Sequence, residues 1–227
     1  MIRALLLDAL GTLVELEPPA PHLKRALGGI SEADAERAMA VEMTYYRAHL
    51  DEGRDVESLA ALRRRCAEAL RKALPESARP ADLGALVGVL LDSLRFRAFP
   101  DAGPALEAAR SRGLGLVVVS NWDCSLPDVL ERIGLAPALD GVVASAGAGA
   151  RKPSAAIFER ALSLAGVAPS EAIHVGDSIE DDVEGAHTAG IRPVLLRRDG
   201  GTGPPGVTTI ASLVDLESLT LTSLTRS

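Results

Sequence analysis

ALLLDALGTL, residues 4–13, decides the fold. Four apolar side chains in succession end at a carboxylate, Asp8, and a Gly-Thr pair follows at Gly11 and Thr12. A short continuous apolar run is the signature of a strand buried on both faces, as in the middle of a parallel sheet. The signature returns at residues 114–119 (LGLVVV), 141–144 (GVVA), 172–175 (AIHV) and 192–196 (RPVLL). Helical patterns separate these runs at residues 102–112, 126–133, 155–164 and 183–189. The alternation predicts an α/β fold, a Rossmann-like parallel sheet core flanked by helices.

One segment interrupts the pattern. Residues 18–95 carry no strand signature, only helix-like stretches at 32–49, 56–74 and 81–94 punctuated by Pro and Gly. They predict an all-helical cap inserted into a core built from residues 1–17 and 96–227. The tail after Arg198 reads as a loop through DGGTGPPG, followed by a short helix at 211–219. A length of 227 residues suits one core with a smaller module. With 47% apolar but only 3% aromatic residues, that core must be built from Leu, Val and Ala.

The net charge of -7 argues against a nucleic-acid or anionic-membrane partner and for a small-molecule substrate. Cys66 and Cys124 lie far apart without CxxC spacing, so neither a disulfide framework nor a zinc site is expected. A reducing cytoplasm is the expected setting. The apolar run at the start is too short for a signal peptide, and no window reaches membrane-span length.

Ligands of open parallel sheets bind beyond the carboxyl ends of the strands. The residues found there are Asp8, then Ser120 and Asn121, then Arg151 and Lys152, then Gly176, Asp177 and Ser178. A carboxylate, a hydroxyl, an amine and further acids therefore converge on one rim. An aspartate is ionised at neutral pH and can attack an electrophilic centre without a separate base.

Four stretches in order, LLLDALGTL (5–13), VVVSN (117–121), ARKPSAAIF (150–158) and HVGDSIEDDVEGAHTAG (174–190), resemble the motifs of the haloacid dehalogenase superfamily. The resemblance is to the branch with a helical cap after the first motif. It implies a Mg²⁺-dependent hydrolase of a small phosphorylated substrate, with Asp8 as nucleophile. Mg²⁺ would be held by Asp8, the carbonyl of Leu10 and Asp177. Gly11, Thr12, Ser120 and Asn121 would receive the substrate, Lys152 would add positive charge, and Asp182 would orient Lys152. Asp181 ranks below Asp182, and His174 reads as a strand histidine rather than a ligand.

Leu10 departs from the pattern. Phosphatases of the superfamily usually carry a second aspartate there, as acid and base. General acid–base assistance is worth ~10²–10⁴ in rate, so alkyl phosphates should turn over slowly and acyl or aryl phosphates less so. Alternatively Glu15, Glu17 or His22 supplies the proton. The superfamily's 2-haloacid dehalogenases also lack that aspartate, since halide leaves unprotonated, but they lack the metal-binding acids too. A catalytically weak phosphate-binding or regulatory protein is the remaining reading. Lys24 and Lys72 could in principle serve a phosphonate hydrolase's Schiff base.

Overall fold

The computed structural model describes residues 1–222. The chain enters through β1 (Ala4–Leu7), turns at Asp8 and forms the short β2 (Val14–Leu16). Four helices follow, α1 (Pro19–Leu27), α2 (Glu32–His49), α3 (Val56–Ala73) and α4 (Leu83–Ser93), before β3 (Phe96–Ala98) pairs with β2. The return run is α5 (Ala102–Ser111), β4 (Gly115–Ser120), α6 (Leu126–Arg132), β5 (Gly141–Ala144), α7 (Ser145–Ala148), α8 (Ala155–Ala165) and β6 (Ala172–Gly176). A π-helical turn (Ile179–Glu184) leads into α9 (Gly185–Thr188), and β7 (Arg192–Leu196), β8 (Thr208–Ile210) and α10 (Leu216–Thr222) complete the described residues. Two compact units result, Met1–Glu15 with the chain from Ala98 onward, and Leu16–Arg97.

In the first unit six strands run in the order β5-β4-β1-β6-β7-β8, every pairing parallel. β1 lies between β4 and β6, with Leu6 opposite Val117 and His174. All four of its residues are buried, as the uninterrupted apolar run requires. Leu6, Val117 and Val119 pack with Ile157, Phe158 and Ala161 of α8 in one core cluster. Each fully buried leucine of β1 contributes about 1.5–3 kcal/mol. A strand so held makes a rigid base for the residue at its end.

The second unit is helical. Ser31 and Asp55 cap α2 and α3 by accepting backbone N–H groups three residues on. The buried stripe of α3 is Leu59, Leu62, Cys66 and Leu70, and that of α2 is Ala35, Ala38, Met39 and Glu42. Glu42 therefore takes an apolar position.

Several elements differ from the sequence expectation, among them the paired strands β2 and β3, which no apolar run announced. The tail expected to be a loop contains β8, an edge strand with only Ile210 buried. The Gly-rich stretch before Lys152 contains the four-residue helix α7. The helix expected from residue 183 begins at Ile179 as a π turn, because Val183 N–H donates to Ser178 five residues back. Among the described residues no helix is long and apolar enough to cross a membrane.

Candidate active site

The site is assembled at the carboxyl ends of β1, β4 and β6. Asp8 N–H donates to Val175 O at 2.9 Å, continuing the β1–β6 ladder one residue past the strand and fixing the backbone beneath the carboxylate. The chain then curls tightly. The amides of Thr12, Leu13 and Val14 all donate to Ala9 O, at 3.2, 2.8 and 2.8 Å. Gly11 sits in the curl at φ 89°, which favours glycine, and a Cβ there would collide with the Asp177 carboxylate. Gly176 is constrained likewise, since a Cβ would strike the carboxylate of Asp182.

Asp8 is buried, 5% exposed. Lys152 Nζ donates to its Oδ1 at 2.6 Å and Ser120 Oγ donates to the same atom at 3.0 Å. Both bonds fall on one oxygen, and Oδ2 accepts none among the described residues. Lys152 is itself buried and bridges to Asp182 Oδ1 at 2.5 Å. Asp182 also accepts from His174 Nε2 at 2.9 Å and from Ser178 N–H at 3.0 Å. The π turn swings Asp182 inward to meet these donors.

Electrostatics follow from this layout. Burial raises the Asp8 carboxyl to about 6; Lys152 opposes the rise, and the charges of Asp182 and Asp177 reinforce it. Burial works against the charge on Lys152, yet Asp8 and Asp182 outweigh it and hold the ammonium well above the ordinary lysine range. Asp182 moves the other way. Burial alone would raise it, but Lys152 and the His174 hydrogen bond keep it far below the ordinary carboxylate range.

Oxygens of Asp8, Asp177 and Asp182 lie within 4.8 Å of one another. Asp182 is committed to Lys152 and His174, whereas Asp177 is exposed and makes no side-chain bond among the described residues. Four of the five carbonyls from Ala9 to Leu13 accept hydrogen bonds, from Leu13, Arg198 and Phe99 among others, and only Leu10's accepts none among the described residues. Asp8, Asp177 and Asp182 form an all-oxygen cluster of the kind that suits a hard cation such as Mg²⁺. The Leu10 side chain is 36% exposed.

Sequence reasoning placed the other candidates near this rim, and the structure specifies their contacts. The Asn121 side chain donates to Lys152 O at 3.1 Å and accepts from Lys152 N–H at 2.8 Å, holding the lysine's backbone. It also donates to Asp181 at 3.3 Å. Thr12 is fully buried, with an unpartnered hydroxyl, so its side chain is not open to a ligand. His174 is fully buried between Asp182 and the edge of Phe158, and its Nδ1 has no partner. Glu17 and His22 pair with each other at 3.3 Å within the helical unit.

Arg198 is the residue that sequence reading missed. It donates to the carbonyls of Gly11 and Thr12, in the curl beside Asp8. Its place just past β7 was signal enough, since the strand-end rule had already selected its neighbours.

A family model described as haloacid dehalogenase-like hydrolase matches residues 2–190. Haloacid dehalogenase-like hydrolase domain-containing protein 3 of Bos taurus is 44% identical over 95 residues, covering 42% of this chain and 38% of that protein. The match thus spans well under half the length of that relative. The glyceraldehyde 3-phosphate phosphatase of Methanopyrus kandleri is 30% identical over 202 residues, 87% of this chain and 85% of that protein. A 2-haloacid dehalogenase from Pseudomonas syringae pv. Tomato DC3000 is a structural match with a TM-score of 0.70 and 25% identity, covering 98% of this chain and 100% of that one.

Proposed function

The chain belongs to the haloacid dehalogenase-like hydrolases, and from that premise we propose that it is a Mg²⁺-dependent phosphatase of a small phosphorylated metabolite. One observation carries the reading: a buried aspartate aligned by Ser120 and Lys152, with the unpaired acid Asp177 beside it. A dehalogenase has no use for that second acid. The phosphatase named among the relatives matches most of the chain and supports the same choice.

In this reading the Asp8 carboxylate attacks phosphorus, the bond from phosphorus to the leaving oxygen breaks, and an aspartyl phosphate forms. Water then attacks that phosphorus, releasing inorganic phosphate and restoring Asp8. Asp8, the Leu10 carbonyl and Asp177 would hold Mg²⁺, which when bound would supply positive charge to offset the negative charge of the phosphate. Lys152 adds a fixed charge that Asp182 and Asn121 keep in place. Ser120 and the backbone of Asn121 receive the substrate, while Gly11 and Thr12, expected from the sequence to do so, have their amides and carbonyls bonded within the curl and to Arg198 and so shape the loop instead. Leu10 brings no proton to the leaving group, so the preferred substrates are those whose leaving group needs none, acyl and aryl phosphates.

The test is phosphate release from p-nitrophenyl phosphate and acetyl phosphate, with and without Mg²⁺, beside halide release from 2-chloropropionate. Mg²⁺-dependent phosphate release that disappears in Asp8→Asn supports the proposal. Metal-independent halide release would replace it with the dehalogenase, and silence in every assay would favour a binding role.

A further inference from the structure

Arg198 is engaged on every side. Its Nε donates to Gly11 O at 3.3 Å and its Nη2 to Thr12 O at 2.7 Å, while Nη1 donates to Asp101 Oδ2 at 3.0 Å. The guanidinium lies 3.7 Å from the centre of the Phe99 ring. Asp101 is braced in turn, for the same Oδ2 accepts from Ser212 Oγ at 2.7 Å and from Leu213 N–H at 2.9 Å. A planar fork with fixed donors suits two successive carbonyls better than a single ammonium does. Phe99 N–H donates to Leu13 O at 3.0 Å, so one platform holds three successive carbonyls of the curl.

The consequence concerns the carbonyl left over. Ala9 O is taken by three amides, Gly11 and Thr12 by Arg198 and Leu13 by Phe99, which leaves Leu10's carbonyl the one in the curl without a partner among the described residues. We propose that Arg198 is a positioning residue: by locking Gly11 and Thr12 it fixes the Leu10 carbonyl for a divalent cation and so sets the metal affinity of the site. This inference rests on the metal-dependent reading given above. It assigns to a residue remote from the reacting atoms a control over metal occupancy.

Mn²⁺ binding to the full chain, measured by electron paramagnetic resonance without substrate, tests it in the native protein, Arg198→Gln and Arg198→Lys. Supporting groups around metal ligands typically matter by roughly 10–100-fold in affinity, and a loss of that size is expected for Arg198→Gln, with an intermediate loss for Arg198→Lys. The Mg²⁺ concentration for half-maximal p-nitrophenyl phosphate hydrolysis should rise in parallel, while KM at saturating Mg²⁺ stays near native. Native Mn²⁺ affinity in a folded Arg198→Gln overturns the proposal. If that variant does not fold, Arg198→Lys decides, and native affinity there overturns it equally. Absence of Mn²⁺ binding by the native chain would instead sink the metal-dependent reading, and this inference with it.

Discussion

Asp8 at the rim of the sheet and Glu42 on the inner stripe of α2 are both buried carboxylic acids, and their surroundings could hardly differ more. Asp8 shares an ammonium with Asp182 and accepts a hydroxyl as well. Glu42 is 2% exposed, and the hydrogen bond that acts on its titration comes from the thiol of Cys66. Burial raises both, Asp8 to about 6 against the pull of Lys152 and Glu42 to about 7 against the weak pull of the thiol. The contrast separates two uses of the same chemistry. At the rim a cation built in beside the acid works against the rise and favours the carboxylate at neutral pH. In the helical unit the acid straddles its two forms and only burdens its own packing.

The most severe way to break this contrast is to make the rim resemble the helices. Lys152→Met leaves Asp8 and Asp182 buried without their shared cation, and should cost about 3–5 kcal/mol of stability at pH 7 in urea titrations. The deficit should shrink as the pH is lowered towards 6, because without Lys152 to oppose the rise Asp8 takes up its proton above the native value of about 6. A stable Lys152→Met with native urea dependence would show that the ammonium is not what permits the burial.

The next variant adds an acid where the rim lacks one. Leu10→Asp exchanges a part-exposed side chain, so packing is little disturbed. It should raise turnover of alkyl phosphates by ~10²–10⁴ while changing acetyl phosphate far less. Equal gains on both substrates would place the missing function elsewhere.

On the helical side, Glu42→Gln keeps the shape and removes the ionisation. A carboxyl whose folded pKa exceeds its unfolded one contributes most stability below the unfolded value, here 4.5, and loses it as pH rises through about 7. Glu42→Gln should therefore match the native chain at pH 4 and exceed it by up to about 3 kcal/mol at pH 8. A constant difference across that range would mean that Glu42 does not titrate with folding.

The mildest effect is a displacement of the activity profile. With limiting Mg²⁺, kcat/KM should fall as pH drops through about 6, where the Asp8 carboxylate is lost. Saturating Mg²⁺ favours the carboxylate and should move that limb to lower pH. An unmoved limb would point to a titrating group away from the cation.

The core was legible because buried parallel strands leave uninterrupted apolar runs, and β1, β5 and β7 lie where those runs begin and end. β8 left no such mark, being three residues at the sheet edge with two of them outside the core. α7 is short and Gly-containing, and its Ser145 is buried against the backbone of Trp122, a contact local periodicity does not encode. At the site, residues following strands could be named from the chain alone. The side chain of Asn121 holding Lys152 joins segments that follow different strands, and His174 holding Asp182 depends on the π turn folding back onto β6; neither pairing is encoded by local periodicity. The π turn belongs with them, for its Val183–Ser178 bond five residues apart breaks the ordinary helical period on which the sequence reading relied.

The excursion between β2 and β3 has a further meaning. Glu17 N–H and Arg95 O meet at 2.9 Å, so the two ends of the helical unit are tied within one hydrogen bond of each other. To the sheet, everything between them is a closed loop, and loop-closure entropy grows so slowly that doubling such a loop costs only about 0.6 kcal/mol. A longer or shorter segment between the same two ends would therefore leave the register of β1 and the curl after Asp8 in place at little cost.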